Sequence, residues 1–117
     1  MRMRWMLLTL LVAGACLGQP QVVHTIDAPD TGVSGLGYGN GSLWAVDGTT
    51  EYAYEVDPSD GTVLESWFCE SSTRSPSGLT FAGDEVYIIM AYASGNSPYC
   101  YRYDQTGSFQ ASFDLDC

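Results

Sequence analysis

The chain has 117 residues, with four arginines, no lysine, fourteen carboxylates and a single histidine, for a formal charge of −10. That length allows one domain. The acidity excludes sequence-independent attachment to nucleic-acid phosphates or anionic lipid surfaces, and with His24 alone, histidine clusters for a metal and paired-histidine acid/base schemes are excluded as well.

Residues 1–18 read as an export signal: a basic start at Arg2 and Arg4, an apolar run from Trp5 to Ala15, and small residues at Ala13, Gly14 and Ala15. The run is about half the length of a membrane-spanning helix. The remainder is therefore expected to be secreted or periplasmic, with Arg74 and Arg102 left against all fourteen carboxylates, or −12. Cys16 follows Val-Ala-Gly-Ala and resembles a bacterial lipoprotein box, which makes it the candidate for lipid attachment to the envelope. Ordinary cleavage after Ala15 or Gly18 is the alternative. Among the other cysteines, Cys69, Cys100 and Cys117 form an odd set in a compartment that permits disulfides, and their spacings match no zinc pattern.

After the leader, Val22 to Asp27 alternates in polarity and reads as an outer strand. Four strands are then expected near Gly35 to Tyr38, Ser42 to Val46, Tyr52 to Val56 and Val63 to Phe68, and four more near Gly78 to Phe81, Glu85 to Met90, Tyr99 to Tyr103 and Phe109 to Leu115. Aromatic and β-branched residues fill them. Asn40-Gly41 and Gly83-Asp84 suit hairpin turns that need positive φ, and Asp57 and Asp104 are placed to cap turns by accepting backbone N–H groups. No stretch beyond the leader has a helical period, so the mature chain is expected to be all-β.

The two groups of strands repeat. Residues 34–46, SGLGYGNGSLWAV, lie on 77–89, SGLTFAGDEVYII, at an offset of 43, and residues 54–67 lie on 101–113 at 46 or 47. Repeats of about 40 to 50 residues holding several short strands indicate propeller blades. Blade one spans about 33–69 and blade two about 77–117, within a partial β-propeller over 21–117. Trp44, Trp67, Tyr87 and Phe113 recur at matched positions and are expected to form the core between blades.

With these residues the chain resembles secreted bacterial β-propellers of the NHL-repeat and gluconolactonase-like kind, and Asp57 to Trp67 is similar to the repeat of quinoprotein propellers. The resemblance implies an architecture rather than an activity, because such propellers include enzymes, binding proteins and scaffolds. Asp47 matches a position that is often acidic in these repeats, whereas Met90 stands there in the second copy.

Two blades plus a spare outer strand do not close a ring, since propellers close with four to eight. The expected role is an extracytoplasmic binding or scaffold module, a segment of a longer propeller. Two alternatives stand beside it: part of a lactonase-like hydrolase or lyase, and a lectin-like ring assembled from two-blade subunits. Further blades would come from a longer chain or from self-assembly. If the strands alternate in direction, one rim carries all three cysteines, with Cys69–Cys100 or Cys100–Cys117 as candidate bridges and a thiol at Cys100 as the third option. The same rim carries Asp47, Glu51, Tyr52, Glu70, Arg74, Tyr92, Asn96 and Tyr99. Rings that stack on apolar faces and amides or carboxylates that take hydrogen bonds suit carbohydrate or peptide ligands. No cofactor, metal or nucleic acid is implied, and no calcium-loop spacing occurs.

Overall fold

A computed structural model describes residues 20–69, 73–92 and 97–115. The leader, Cys16, Glu70, Asn96 and Cys117 lie outside the described residues.

Eight strands form two four-stranded antiparallel meanders, with no helix among the described residues. Blade one consists of β1 (Val33–Gly39), β2 (Ser42–Asp47), β3 (Tyr52–Val56) and β4 (Val63–Phe68). Blade two consists of β5 (Arg74–Ala82), β6 (Glu85–Tyr92), β7 (Tyr99–Tyr103) and β8 (Phe109–Asp114). Each turn is built where its residues tolerate it. Asn40 and Gly41 take φ 50° and 77°, which closes the β1–β2 hairpin, and Gly83 takes 65° in the equivalent turn of blade two. Gly61 and Gly107, at φ 82° and 86°, return the chain into β4 and β8. Before them Asp57 Oδ1 accepts from the Ser59 backbone N–H at 2.8 Å, and Asp104 Oδ1 accepts from Thr106 and Ser108 N–H groups, both at 2.9 Å. The turn capping expected of both aspartates is thus present.

Register then decides what is buried, because residues opposite one another in a ladder share a face. In blade one, Gly35 lies opposite Val46, Gly37 opposite Trp44 and Ala53 opposite Trp67, so these six share the face turned to blade two. In blade two, Leu79 lies opposite Ile88, Phe81 opposite Val86 and Val86 opposite Tyr103, on the face turned to blade one. Trp44, Val46, Val86, Ile88 and Met90 are fully buried there. Such side chains contribute about 1.5–3 kcal/mol each. Trp44 stacks on Phe81 at 5.2 Å between ring centroids, and Trp67 tilts against Tyr103 at 5.7 Å. The Trp44 indole N–H donates to Gly39 O at 2.9 Å, which satisfies the polar edge of this buried ring.

The core expectation holds for blade one and fails for blade two. Tyr87 and Phe113 occupy the positions of Trp44 and Trp67 in the repeat, yet Tyr87 is half-buried and Phe113 is 47% exposed. The repeat aims both at the far side of blade two, where the described residues supply no further blade.

The spare outer strand is also corrected. Residues 20–32 form no ladder, and Val22 and Val23 are 85% and 93% exposed. Instead Ile26, Asp27, Ala28 and Pro29 cross the far face of blade one and line a cleft with Leu36, Leu43, Ala45 and Val56. A fourth strand needs a third strand beside it, and none adjoins this segment. It forms a strap tied by His24 Nε2 to Ser59 O at 2.9 Å.

Candidate functional site

One rim of the molecule collects the β2–β3 turn, the junction between the blades and the β6–β7 connection. Arg74 begins β5 opposite Tyr92, the last residue of β6. Tyr99 begins β7 opposite Met90, on the face turned to blade one. These registers bring the Arg74 guanidinium over both rings, 5.0 Å from the Tyr92 centroid and 4.2 Å from that of Tyr99. Each contact places the cation within reach of the ring quadrupole. Three of the seven ligand-binding candidates therefore form one cluster, at the mouth of the blade junction.

Glu51, in the β2–β3 turn, adds an acceptor to the same rim. Its backbone is held in the left-handed region at φ 65° by two bonds: its N–H donates to Asp47 O at 2.9 Å, and its own O accepts from Cys69 N–H at 2.7 Å. A non-glycine residue at that φ is uncommon. The side-chain Oε1 is buried and has no hydrogen-bond partner among the described residues.

Asp47 and Tyr52 are placed elsewhere. Asp47 is fully buried, and its two carboxylate oxygens accept from the N–H groups of Gly32 at 2.7 Å, Thr49 at 2.7 Å and Thr50 at 2.9 Å. These bonds, that of Thr50 foremost, hold its pKa below the ordinary 3.8. Its acceptor capacity is spent inside the molecule, so it serves as the keystone of the turn and is withdrawn from the set of ligand-binding candidates. Tyr52 lies on the far face of blade one, stacked with Tyr54 at 6.2 Å and tilted against Phe68 at 5.5 Å.

A second polar group beside Asp47 was not foreseen. Asp30 Oδ2 accepts from Tyr54 OH at 2.7 Å and from Thr50 Oγ1 at 2.9 Å, which fastens the end of the strap to blade one. The bond from Tyr54 is the main cause that lowers the Asp30 pKa, and burial together with Asp30 pushes the Tyr54 phenol up to about 12. Asp30 precedes the repeat, so it has no counterpart in blade two that would have marked it.

Cys69 and Cys100 are both buried thiols, and the Cys69–Cys100 bridge is not formed. Cys100 lies opposite Ile89 and Phe113, on the side of blade two remote from Cys69. The shared rim, which made the bridge attractive, ignores that alternate residues of a strand point to opposite faces. Burial pushes the Cys69 thiol up to about 12, which leaves it protonated and unreactive at neutral pH.

Comparison with known protein families and with curated proteins gives no match. Among solved structures, the fold is similar to that of the PQQ-bound form of aldose sugar dehydrogenase from Streptomyces coelicolor, with a TM-score of 0.56 and 19% sequence identity. The match covers 81% of this chain and 33% of that one, so the chain spans about a third of its neighbour's length. The neighbour is a propeller-type protein, and the fold of this chain is propeller-like.

Proposed function

We propose that the chain is an extracytoplasmic binding or scaffold module of β-propeller type, two blades of a ring whose others come from a longer chain or from self-assembly. Its rim at the blade junction binds carbohydrate or peptide. The observation that carries this reading is the clamp of Arg74 on Tyr92 and Tyr99. Contact with two rings holds the guanidinium in place, and a held guanidinium directs N–H donors with less entropy left to lose. The buried Oε1 of Glu51 supplies an acceptor on the same rim. Sugar hydroxyls and peptide amides each offer both a donor and an acceptor. The three-part leader supports an extracytoplasmic location, with a lipid anchor at Cys16 as its alternative ending.

The structural neighbour makes aldoses natural probes. Its cofactor, PQQ, is a quinone bearing three carboxylates and calls for cationic surroundings. The described rim offers Arg74 alone, already stacked on two tyrosines, while Arg102 pairs with Glu85 at 3.2 Å on blade two's far face. These residues do not fit that group.

The test is a titration of the chain with aldoses, oligosaccharides and short peptides, followed by tyrosine and tryptophan fluorescence. A saturable response that Arg74→Ala and Tyr99→Ala both abolish, with the unfolding midpoint retained, is expected. A response that survives both substitutions, or none with any probe, overturns the proposal.

A further inference from the structure

The junction between the blades is made of two unlike halves, and the repeat presents each half a second time, one with no blade opposite it among the described residues and the other beneath the strap. The first half is the blade-one face that carries Gly35, Trp44 and Trp67. Its repeat equivalents, Gly78, Tyr87 and Phe113, lie together on the far face of blade two, since Gly78 is opposite Ile89, Thr80 opposite Tyr87 and Cys100 opposite Phe113. The second half is the blade-two face that carries Leu79, Phe81 and Val86. Its equivalents, Leu36, Tyr38 and Leu43, lie on the far face of blade one, where Leu36 and Tyr38 are 62% and 64% exposed.

Two pairs of glycines show how closely the halves correspond. A Cβ at Gly35 would stand 2.7 Å from Leu79 N, whereas one at Gly78 would meet only Ile89, at 3.8 Å. The same glycine thus admits a neighbouring strand in blade one and meets only Ile89 of its own sheet in blade two. At Gly107 a Cβ would run into Trp67 at 2.6 Å, and at the equivalent Gly61 the nearest atoms belong to Asp27 and Ile26, at 3.2 and 3.4 Å. The strap therefore stands where the fourth strand of a preceding blade would stand.

We propose that the two far faces bind each other between copies of this chain, head to tail, with the strap giving way to β8 of the neighbouring copy. Tyr38 of one copy then stacks on Tyr87 of the next, as Phe81 stacks on Trp44 within the chain. Such a contact is heterologous and closes only if the rotation per copy permits. Three copies supply six blades, inside the range in which propellers close. The inference rests on the two-blade reading and not on the rim's ligand, so a failed ligand titration leaves it standing.

The experiment mixes two chains, one carrying Tyr38→Cys and the other Tyr87→Cys, each also carrying Cys16→Ser, Cys117→Ser and Cys100→Ala, the last because Cys100 shares the far face of blade two with Tyr87, under a short bismaleimide. A cross-linked dimer of twice the chain's mass is expected from the mixture and from neither chain alone, because the contact pairs unlike positions. Adding Gly78→Ala to the Tyr87→Cys chain leaves the fold intact and lowers the cross-linked yield about tenfold, since the new methyl group occupies the docking space. Cross-linking of either chain by itself, no cross-linking in the mixture, or a yield indifferent to Gly78→Ala overturns the proposal.

Discussion

Gly35→Ala probes the blade junction most directly. The added Cβ would stand 2.7 Å from Leu79 N, 2.8 Å from Gly78 Cα and 2.9 Å from Gly78 C, all backbone atoms of β5 that no rotamer change can move. Ordinary contacts lie near 3.5 Å or beyond, so β5 must retreat by about 1 Å, and a gap of that size forfeits a quarter to a half of the attraction across the junction. Overpacking of this kind costs about 1–3 kcal/mol. For a domain near 100 residues, a loss of about 2 kcal/mol lowers Tm by roughly 8–16 °C. Neither Gly35 nor Gly78 has positive φ, so alanine brings no backbone strain at either. Gly78→Ala, its repeat equivalent, is the control: its methyl group meets Ile89 at an ordinary 3.8 Å, and in dilute solution stability should stay level or rise by up to about 1 kcal/mol. Urea unfolding followed by tryptophan fluorescence reads both. Equal losses at the two glycines, or no loss at Gly35, would refute the assignment of Gly35 to the junction.

Two further outcomes follow from burial and charge. Trp44→Ala should cost about 3–5 kcal/mol, while Tyr87→Ala at the matched position should cost less than half of that in dilute solution; urea midpoints that fall together would contradict the one-sided core. Stability should also have a limb at each end of the pH range. Asp30, Asp47, Asp57 and Asp104 are all held below 3.8 by hydrogen bonds, from Tyr54, Thr50, Ser59 and Thr106 foremost, so the unfolded chain takes up protons first and stability falls as pH drops below about 4. Cys69 and Tyr54 are raised from 9 and 10 to about 12, so the unfolded chain loses protons first and stability falls again as pH rises through that interval. Thermal midpoints between pH 2.5 and 11 check this, and a protein more stable at pH 3 than at pH 6 would contradict it.

The rim shows how far local reading reaches. Arg74, Tyr92 and Tyr99 could be assigned to one rim by counting strands, and the registers of β5, β6 and β7 bring them into contact. Asp47 shares that rim by the same count, yet its carboxylate faces inward to three backbone N–H groups, one of them from Gly32, fifteen residues earlier. Nothing local to Asp47 announces that partner. Asp30 was missed for the same reason, since its importance lies in Tyr54, twenty-four residues later.

The number and order of the strands, the turn chemistry and the doubling of the blade were all determined by the sequence itself, whereas β5 runs from Arg74, four residues before its expected start. Alternation of side chains, glycines at positive φ and aspartate caps act over a few residues, and a repeat is visible wherever such local patterns recur. Which copy of each repeated residue becomes core was decided only in three dimensions. Trp44 and Tyr87 are equivalent along the chain, but burial depends on what stands opposite: blade two covers Trp44, and none of the described residues forms a blade over Tyr87. The same holds for 22–27, whose alternation suits a strand but whose ladder partner is missing, so that it lies as a strap on the face of blade one.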